Sequence, residues 1–262
     1  MINQALQNWR SGQASLGAWS NLSDIHLAET LGRMGFDWLC FDLQHGLMDY
    51  SHLPALLPAV TGLPVTPLVR VAANQPEQIG KALDAGAQGV IVPMVNTAEE
   101  ALRAVAACRY PPDGNRSCGP LRDAMIEGFE YLNTANQQIA CIAMIETEEG
   151  LDNVEAIAAV PGLDALFVGP MDLCYGLGLP PGDFDNASFK AAIVRILGAA
   201  AQHGIASGMF GYSPEMAHAA LNEGFNFASA GTDVSFFRKG AQQALNTARG
   251  ASSEDQQRKA VY

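Results

Sequence analysis

Eight apolar runs recur along this chain, and the stretches between them carry apolar residues three and four apart. A short apolar run bounded by glycine, proline or polar residues reads as a buried strand, and the spacing of three and four reads as one face of a helix. The runs lie near 16–19, 37–42, 65–70, 89–93, 140–146, 164–169, 205–210 and 226–230. Parallel strands need crossover connections and a helix is the usual one, so the alternation predicts an α/β fold. Eight units predict a parallel (β/α)8 TIM barrel. An open doubly wound sheet is the competing fold, weakened by the absence of a GxGxxG turn after an early strand.

Helix signals fit this frame. A helix is expected over 24–34 with Ser23 as its cap, another over 76–85, and a third over 97–108 with Thr97 as cap and Glu100 three residues on. Gly35, Gly86, Gly204 and Gly224 stand where helices should close. Residues 109–139 break the rhythm, with Tyr110-Pro111-Pro112-Asp113-Gly114, then Arg116 and Arg122 expected near the barrel mouth, then a helix over 126–136. A connection of that length is expected to be a lid or a subunit contact at the ligand face.

The chain has 262 residues, 48% of them hydrophobic, which suits one barrel domain over 1–247 followed by a polar, mobile tail over 248–262. A net charge of −12 argues against nucleic acid or an anionic membrane as partner. No segment approaches the roughly 18 uninterrupted apolar residues of a membrane span. The first residues lack a basic region followed by an apolar run, so a cytoplasmic location is expected. Cys40, Cys108, Cys118, Cys141 and Cys174 form no CxxC pair and read as reduced thiols rather than a zinc cluster.

Strand ends of an alternating α/β chain collect on one face, where ligands bind. Two of them bring carboxylates, Glu146 after Cys141-Ile142-Ala143-Met144-Ile145 and Asp172 after Gly169-Pro170-Met171. Two converging carboxylates are a minimal site for a hard divalent cation. The second strand end brings Asp42 and His45, a candidate proton-transfer group that Asp42 is placed to orient. The third ends on Arg70, whose charge needs either a protein carboxylate or an anionic ligand oxygen. Gly169 and Pro170 are expected to turn free backbone amides toward a ligand carboxylate. The glycine turns at Gly208, Gly211 and Gly231 read as tight turns rather than a phosphate cradle, because no basic residue accompanies them. Together these groups suit a metal-bound 2-oxo acid, with Arg70 on its keto oxygen and His45 moving the proton.

Seven ordered motifs then carry a resemblance: Gly35-Phe36-Asp37-Trp38-Leu39, Asp42-Leu43-Gln44-His45, Leu68-Val69-Arg70, Val92-Pro93-Met94-Val95, Arg109-Tyr110-Pro111-Pro112, Ile145-Glu146-Thr147 and Gly169-Pro170-Met171-Asp172-Leu173. From about Leu16 to Ala244 the chain resembles the metal-dependent class II pyruvate aldolases of the HpcH/HpaI family. The resemblance implies reversible aldol cleavage of a 4-hydroxy-2-oxo acid to pyruvate and an aldehyde through a metal-stabilised pyruvate enolate. It implies that Glu146 and Asp172 bind Mg²⁺, Mn²⁺ or Co²⁺, that Arg70 polarises the keto group, and that His45 is the acid/base residue. It also implies that Asp84, which by itself reads as a helix surface residue, pairs with the histidine of a neighbouring subunit in a hexamer whose last helices are exchanged.

Many relatives carry Glu where this chain has Gln44 and Gln where it has Met144. Met171 is expected beside the pyruvyl methyl and Phe210 on the aldehyde side, giving a preference for less polar aldehydes. Two other readings stay open. A CoA-ester lyase of the citrate lyase β type would need a basic groove for the nucleotide. A non-catalytic metabolite-binding barrel would show no metal-dependent turnover.

Overall fold

All eight apolar runs fold as strands, and they close on themselves. The computed structural model describes residues 2–250. Helix α1 (Gln4–Arg10) precedes β1 (Ser15–Ser20), followed by α2 (Ile25–Gly32), β2 (Trp38–Asp42), α3 (Leu53–Val60), β3 (Thr66–Arg70), α4 (Pro76–Asp84) and β4 (Gly89–Val92). Next come α5 (Ala98–Cys108), α6 (Leu121–Glu127), α7 (Tyr131–Gln138), β5 (Ala140–Ile145), α8 (Glu148–Asp152), α9 (Val154–Ala158) and β6 (Ala165–Val168). The chain continues through α10 (Pro170–Gly176), α11 (Ala187–His203), β7 (Ala206–Met209), α12 (Pro214–Glu223), β8 (Phe227–Thr232) and α13 (Asp233–Ala248). The strands form a closed barrel in sequence order, each parallel to its neighbours, with β8 pairing back onto β1. This is the (β/α)8 fold that the alternation predicts.

Side chains alternate along each strand and so build two apolar layers. On β2, Leu39 and Phe41 pack outward under the helices, while Trp38 and Cys40 point into the barrel with Leu68, Phe167 and Phe227. Glycine makes room for these rings. A Cβ on Gly17 would lie 2.0 Å from the Trp38 ring, and one on Gly208 would lie 2.4 Å from Phe227. The C-terminal ends of the strands form one face, where the ligand-binding candidates collect.

The opposite end is closed by α1, which the apolar spacing did not predict because seven residues give barely two turns. Its signals were nonetheless present in Asn3 and in Ala5, Leu6 and Trp9. The Asn3 side chain accepts from the Leu6 amide at 2.9 Å and donates to the carbonyls of Gln88 and Gln138 at 2.7 and 2.8 Å. Trp9 stacks on Phe227 at 4.1 Å and donates its indole N–H to Ser15 Oγ at 2.7 Å.

Three expectations need correction. The cap of α2 is Asp24, not Ser23, because the Asp24 carboxylate accepts from the Leu27 amide at 2.8 Å and suits the positive helix end. Residues 109–139 are not at the ligand face. They follow α5, which has already returned the chain to the N-terminal ends of the strands, and they contain two helices, α6 and α7, in place of one over 126–136. Arg116 and Arg122 therefore do not stand near the mouth. Arg116 donates to Asp84 Oδ1 at 2.8 Å, Arg122 donates to Thr61 Oγ1, and both partners lie at that far end. The expected cap Thr97 does receive the Glu100 amide, while the Glu100 carboxylate accepts from Asn96. Among the described residues no helix is long and apolar enough to cross a membrane. The tail expected over 248–262 lies, from 251 onward, outside the described residues.

Candidate active site

Asp42 and Arg70 end neighbouring strands in direct register, so their inward side chains meet at the top of the lumen. Arg70 donates from Nε to Asp42 Oδ1 at 2.9 Å and from Nη2 to Oδ2. Trp19, at the same level on β1, donates its indole N–H to Asp42 Oδ2 at 3.1 Å, and the Arg70 guanidinium lies 5.1 Å from the Trp19 ring centre. Both charged groups are buried. Burial alone would raise the Asp42 carboxyl and lower the guanidinium. Burial is the largest single influence on each, but the mutual hydrogen bonds and charge attraction, with smaller neighbouring contributions, together outweigh it, holding Asp42 below the ordinary carboxylate range and Arg70 above its ordinary value. Asp42 also accepts the backbone amides of Gln44 and His45 at 3.0 and 3.2 Å. Asp42 thus holds the His45 loop through the main chain.

His45 is exposed at the pocket rim, and its ring receives no hydrogen bond from the described residues. Glu146 is buried, 2% exposed, and its Oε1 accepts from the Met94 amide at 2.8 Å. Met94 adopts a left-handed backbone, φ 55°, to make that bond. Such a conformation costs a non-glycine residue about 1–2 kcal/mol, and it offers the carboxylate a donor in return. The group that the Val92-Pro93-Met94 strand end brings to Glu146 is thus a backbone amide. Asp172 sits in the first turn of α10, where the Gly169-Pro170 corner turns the chain back toward Glu146. Burial raises the Glu146 carboxyl, and the Asp172 charge raises it further, against the lowering by the Met94 amide and Arg70. Glu146 thus feels the Asp172 charge, and Arg70 feels Glu146.

The pocket between these groups measures about 340 Å³, at the small end of ligand sites. Arg70, His45, Asp172, Gly169 and Pro170 line it, together with Met144. An aromatic wall completes it, in which Phe210 meets Trp19 edge-on at 5.0 Å. Met171, expected beside the pyruvyl methyl, is half-buried on α10 and does not line the pocket, whereas Met144 does. Gln44 buries its Oε1 without a partner among the described residues. Gly169 donates its own amide to the Ile145 carbonyl at 3.4 Å and Pro170 has none, leaving Met171 and Asp172 as the free amides of that turn. Asp233 buries a carboxylate at the end of β8 that accepts from the Asn21 and Leu22 amides, an acidic setting that disfavours a phosphate cradle there. Asp84 lies at the C-terminal end of α4, on the other end of the barrel, paired with Arg116. Trp19 and Tyr212 also line the pocket and were missed in the sequence, since a strand tryptophan reads as core and Tyr212 sits in a short loop.

The donor set fits a hard cation. Among the described residues no cluster of three or more His, Cys, Asp or Glu could hold a metal. Glu146 and Asp172 alone leave positions open for water and substrate oxygens, as Mg²⁺ commonly requires. The backbone keeps the space clear, because a Cβ on Gly169 would lie 2.6 Å from Glu146 Oε2.

Comparison with known proteins agrees with this geometry. Hydroxypyruvate/pyruvate aldolase of Rhizorhabdus wittichii is 37% identical over 95% of this chain and 99% of its own length. The 5-keto-4-deoxy-D-glucarate aldolase of Escherichia coli is 38% identical over 90% of this chain and 92% of its own. A crystal structure of an HpcH/HpaI aldolase/citrate lyase family protein from Burkholderia cenocepacia superposes with a TM-score of 0.89 at 36% identity, covering 95% of this chain and all of that one. The family model described as HpcH/HpaI aldolase/citrate lyase matches residues 15–240, and the chain belongs to that family.

Proposed function

We propose that this chain cleaves 4-hydroxy-2-oxo acids reversibly to pyruvate and an aldehyde. The observation that carries the reading is a pocket lined by the Asp42-locked guanidinium and by Asp172, with the buried Glu146 carboxylate close enough to feel the charge of both. The aldolase names of relatives at 37–38% identity support it.

Glu146 and Asp172 are the residues that would hold a divalent cation, Mg²⁺, Mn²⁺ or Co²⁺. Such an ion, when bound, polarises the carboxylate and keto oxygens of a 2-oxo acid. Asp42 occupies Nε and Nη2 of Arg70, which leaves Nη1 to donate to the substrate keto oxygen. Negative charge builds on that oxygen as the C3–C4 bond breaks, and a fixed guanidinium in a buried setting stabilises it without reorganising. His45 takes the proton of the C4 hydroxyl as the aldehyde forms and later returns a proton to C3, giving the pyruvate methyl. The free amides of Met171 and Asp172 suit the substrate carboxylate.

We further place the enzyme in the cytoplasm as a hexamer. In it, Asp84 of the partner subunit would approach His45, since Asp84 lies too far from the pocket of its own barrel and its side chain is partly exposed. The CoA-ester lyase reading loses support, because Arg116 and Arg122 are engaged away from the mouth. Incubation with a 4-hydroxy-2-oxo acid and Mn²⁺ should release pyruvate and aldehyde in equal amounts, and EDTA should stop it. Release of neither product from any member of a panel of such acids, with the cation present, would sink the proposal.

A further inference from the structure

Tyr212 stands at the outer edge of the pocket wall with 45% of its surface exposed. Its ring meets Phe210 at 4.8 Å and 66°, and Phe210 in turn meets Trp19. Behind it Phe184 lies nearly parallel, 6.1 Å away at 10°. These rings make a continuous aromatic strip that starts beside Arg70, over the Trp19 face, and ends at the pocket mouth. With the pyruvyl half of a substrate held at Arg70, Glu146 and Asp172, this strip offers the aldehyde half an apolar wall leading outward.

We propose that Tyr212 sets the aldehyde preference of this chain, favouring aldehydes that carry an uncharged apolar or aromatic group over small polyhydroxylated ones. The inference rests on the lyase reading above and names its second substrate. The partly exposed ring is apolar surface that such a group would cover, and the Phe184 stack holds it in one plane before the ligand arrives. Burial first, and the Asp172 carboxylate second, push the Tyr212 phenol up to about 12, so the ring presents no charge at neutral pH.

The test uses the purified protein with Mn²⁺ and pyruvate. Addition of phenylacetaldehyde and of glyceraldehyde is compared in the wild type, Tyr212→Phe, Tyr212→Leu and Tyr212→Ala. Exchange of pyruvate methyl protons without aldehyde is measured alongside. The wild type should prefer phenylacetaldehyde. Tyr212→Ala should lower the ratio of the two kcat/KM values by about tenfold or more, mostly through the aldehyde KM, within the range that apolar pocket contacts supply. Tyr212→Phe should keep the ratio and Tyr212→Leu should fall between. The loss in phenylacetaldehyde addition should exceed any loss in exchange. A ratio unchanged in Tyr212→Ala overturns the inference, as does an exchange rate that falls as far as the addition rate. Absence of exchange in the wild type points instead to failure of the lyase reading itself.

Discussion

Asp42 and Arg70 face each other across one strand pair, residue for residue, and Asp42 fixes the guanidinium by two hydrogen bonds while Trp19 donates to the same carboxylate. Removing Arg70 leaves a buried carboxylate unpaired. Arg70→Ala should therefore cost about 3–5 kcal/mol of stability by chemical denaturation, and lower turnover on the order of 10²–10³-fold. Arg70→Lys keeps the charge but loses the planar fork, so stability should recover more than turnover does. Because folding lowers the Asp42 carboxyl, the stability from this pair is present above the ordinary carboxylate value of 3.8 and is lost as pH falls through the lower folded value. A flat stability profile across that acid range in the wild type, compared with Asp42→Asn, would count against the pair.

Glu146 behaves in the opposite way. Burial and Asp172 raise its carboxyl above 4.5, so its contribution is most favourable below that value and is lost as pH rises through the folded value. Without added cation, Glu146→Gln should melt at a higher temperature than the wild type at pH 7, since the amide still accepts from Met94 and carries no buried charge. The gain should shrink toward pH 4. Adding Mn²⁺ should raise the wild-type midpoint and leave that of the variant nearly unmoved.

Gly169 keeps the carboxylate in place. A methyl there would press on both Glu146 Oε2 and Met144 Cε, at 2.6 and 2.8 Å. Gly169→Ala should cost about 1–3 kcal/mol by overpacking, and weaken Mn²⁺ binding measured by calorimetry. Unchanged cation affinity would mean that Glu146 is not a ligand.

The α1 plug should matter for stability and little for chemistry. Trp9→Ala removes a ring stacked on Phe227 and leaves a cavity at the far end of the lumen. A loss of about 3–5 kcal/mol is expected, with the substrate KM within about twofold of wild type, since additivity holds for distant sites.

The barrel was legible because apolar strand runs and helical spacing repeat eight times, a signal carried by many residues at once. The ligand-face groups were legible for a narrower reason, that polar residues ending apolar strands stand out against their surroundings, as Arg70 and Glu146 do. What stayed hidden depends on three-dimensional return of the chain. Arg116 and Arg122 looked like mouth residues until α5 was seen to carry the chain to the other end. The partner of Arg70 was one of two open choices until strand register placed Asp42 opposite. Met94 contributes through its amide, and a side-chain reading has no access to that. Tyr212 belongs to a loop whose approach to the pocket is set by β7 and by the stacking of Phe184.

Pyruvate methyl-proton exchange into deuterated water, followed by NMR, tests the central claim before any aldehyde is known. The measurement compares wild type with Mn²⁺, wild type with EDTA, Glu146→Gln and Arg70→Ala. The account predicts exchange only in the first, with the three others reduced by about a hundredfold or more. Exchange that persists with EDTA or in Glu146→Gln, or no exchange in the wild type with Mn²⁺, would contradict it.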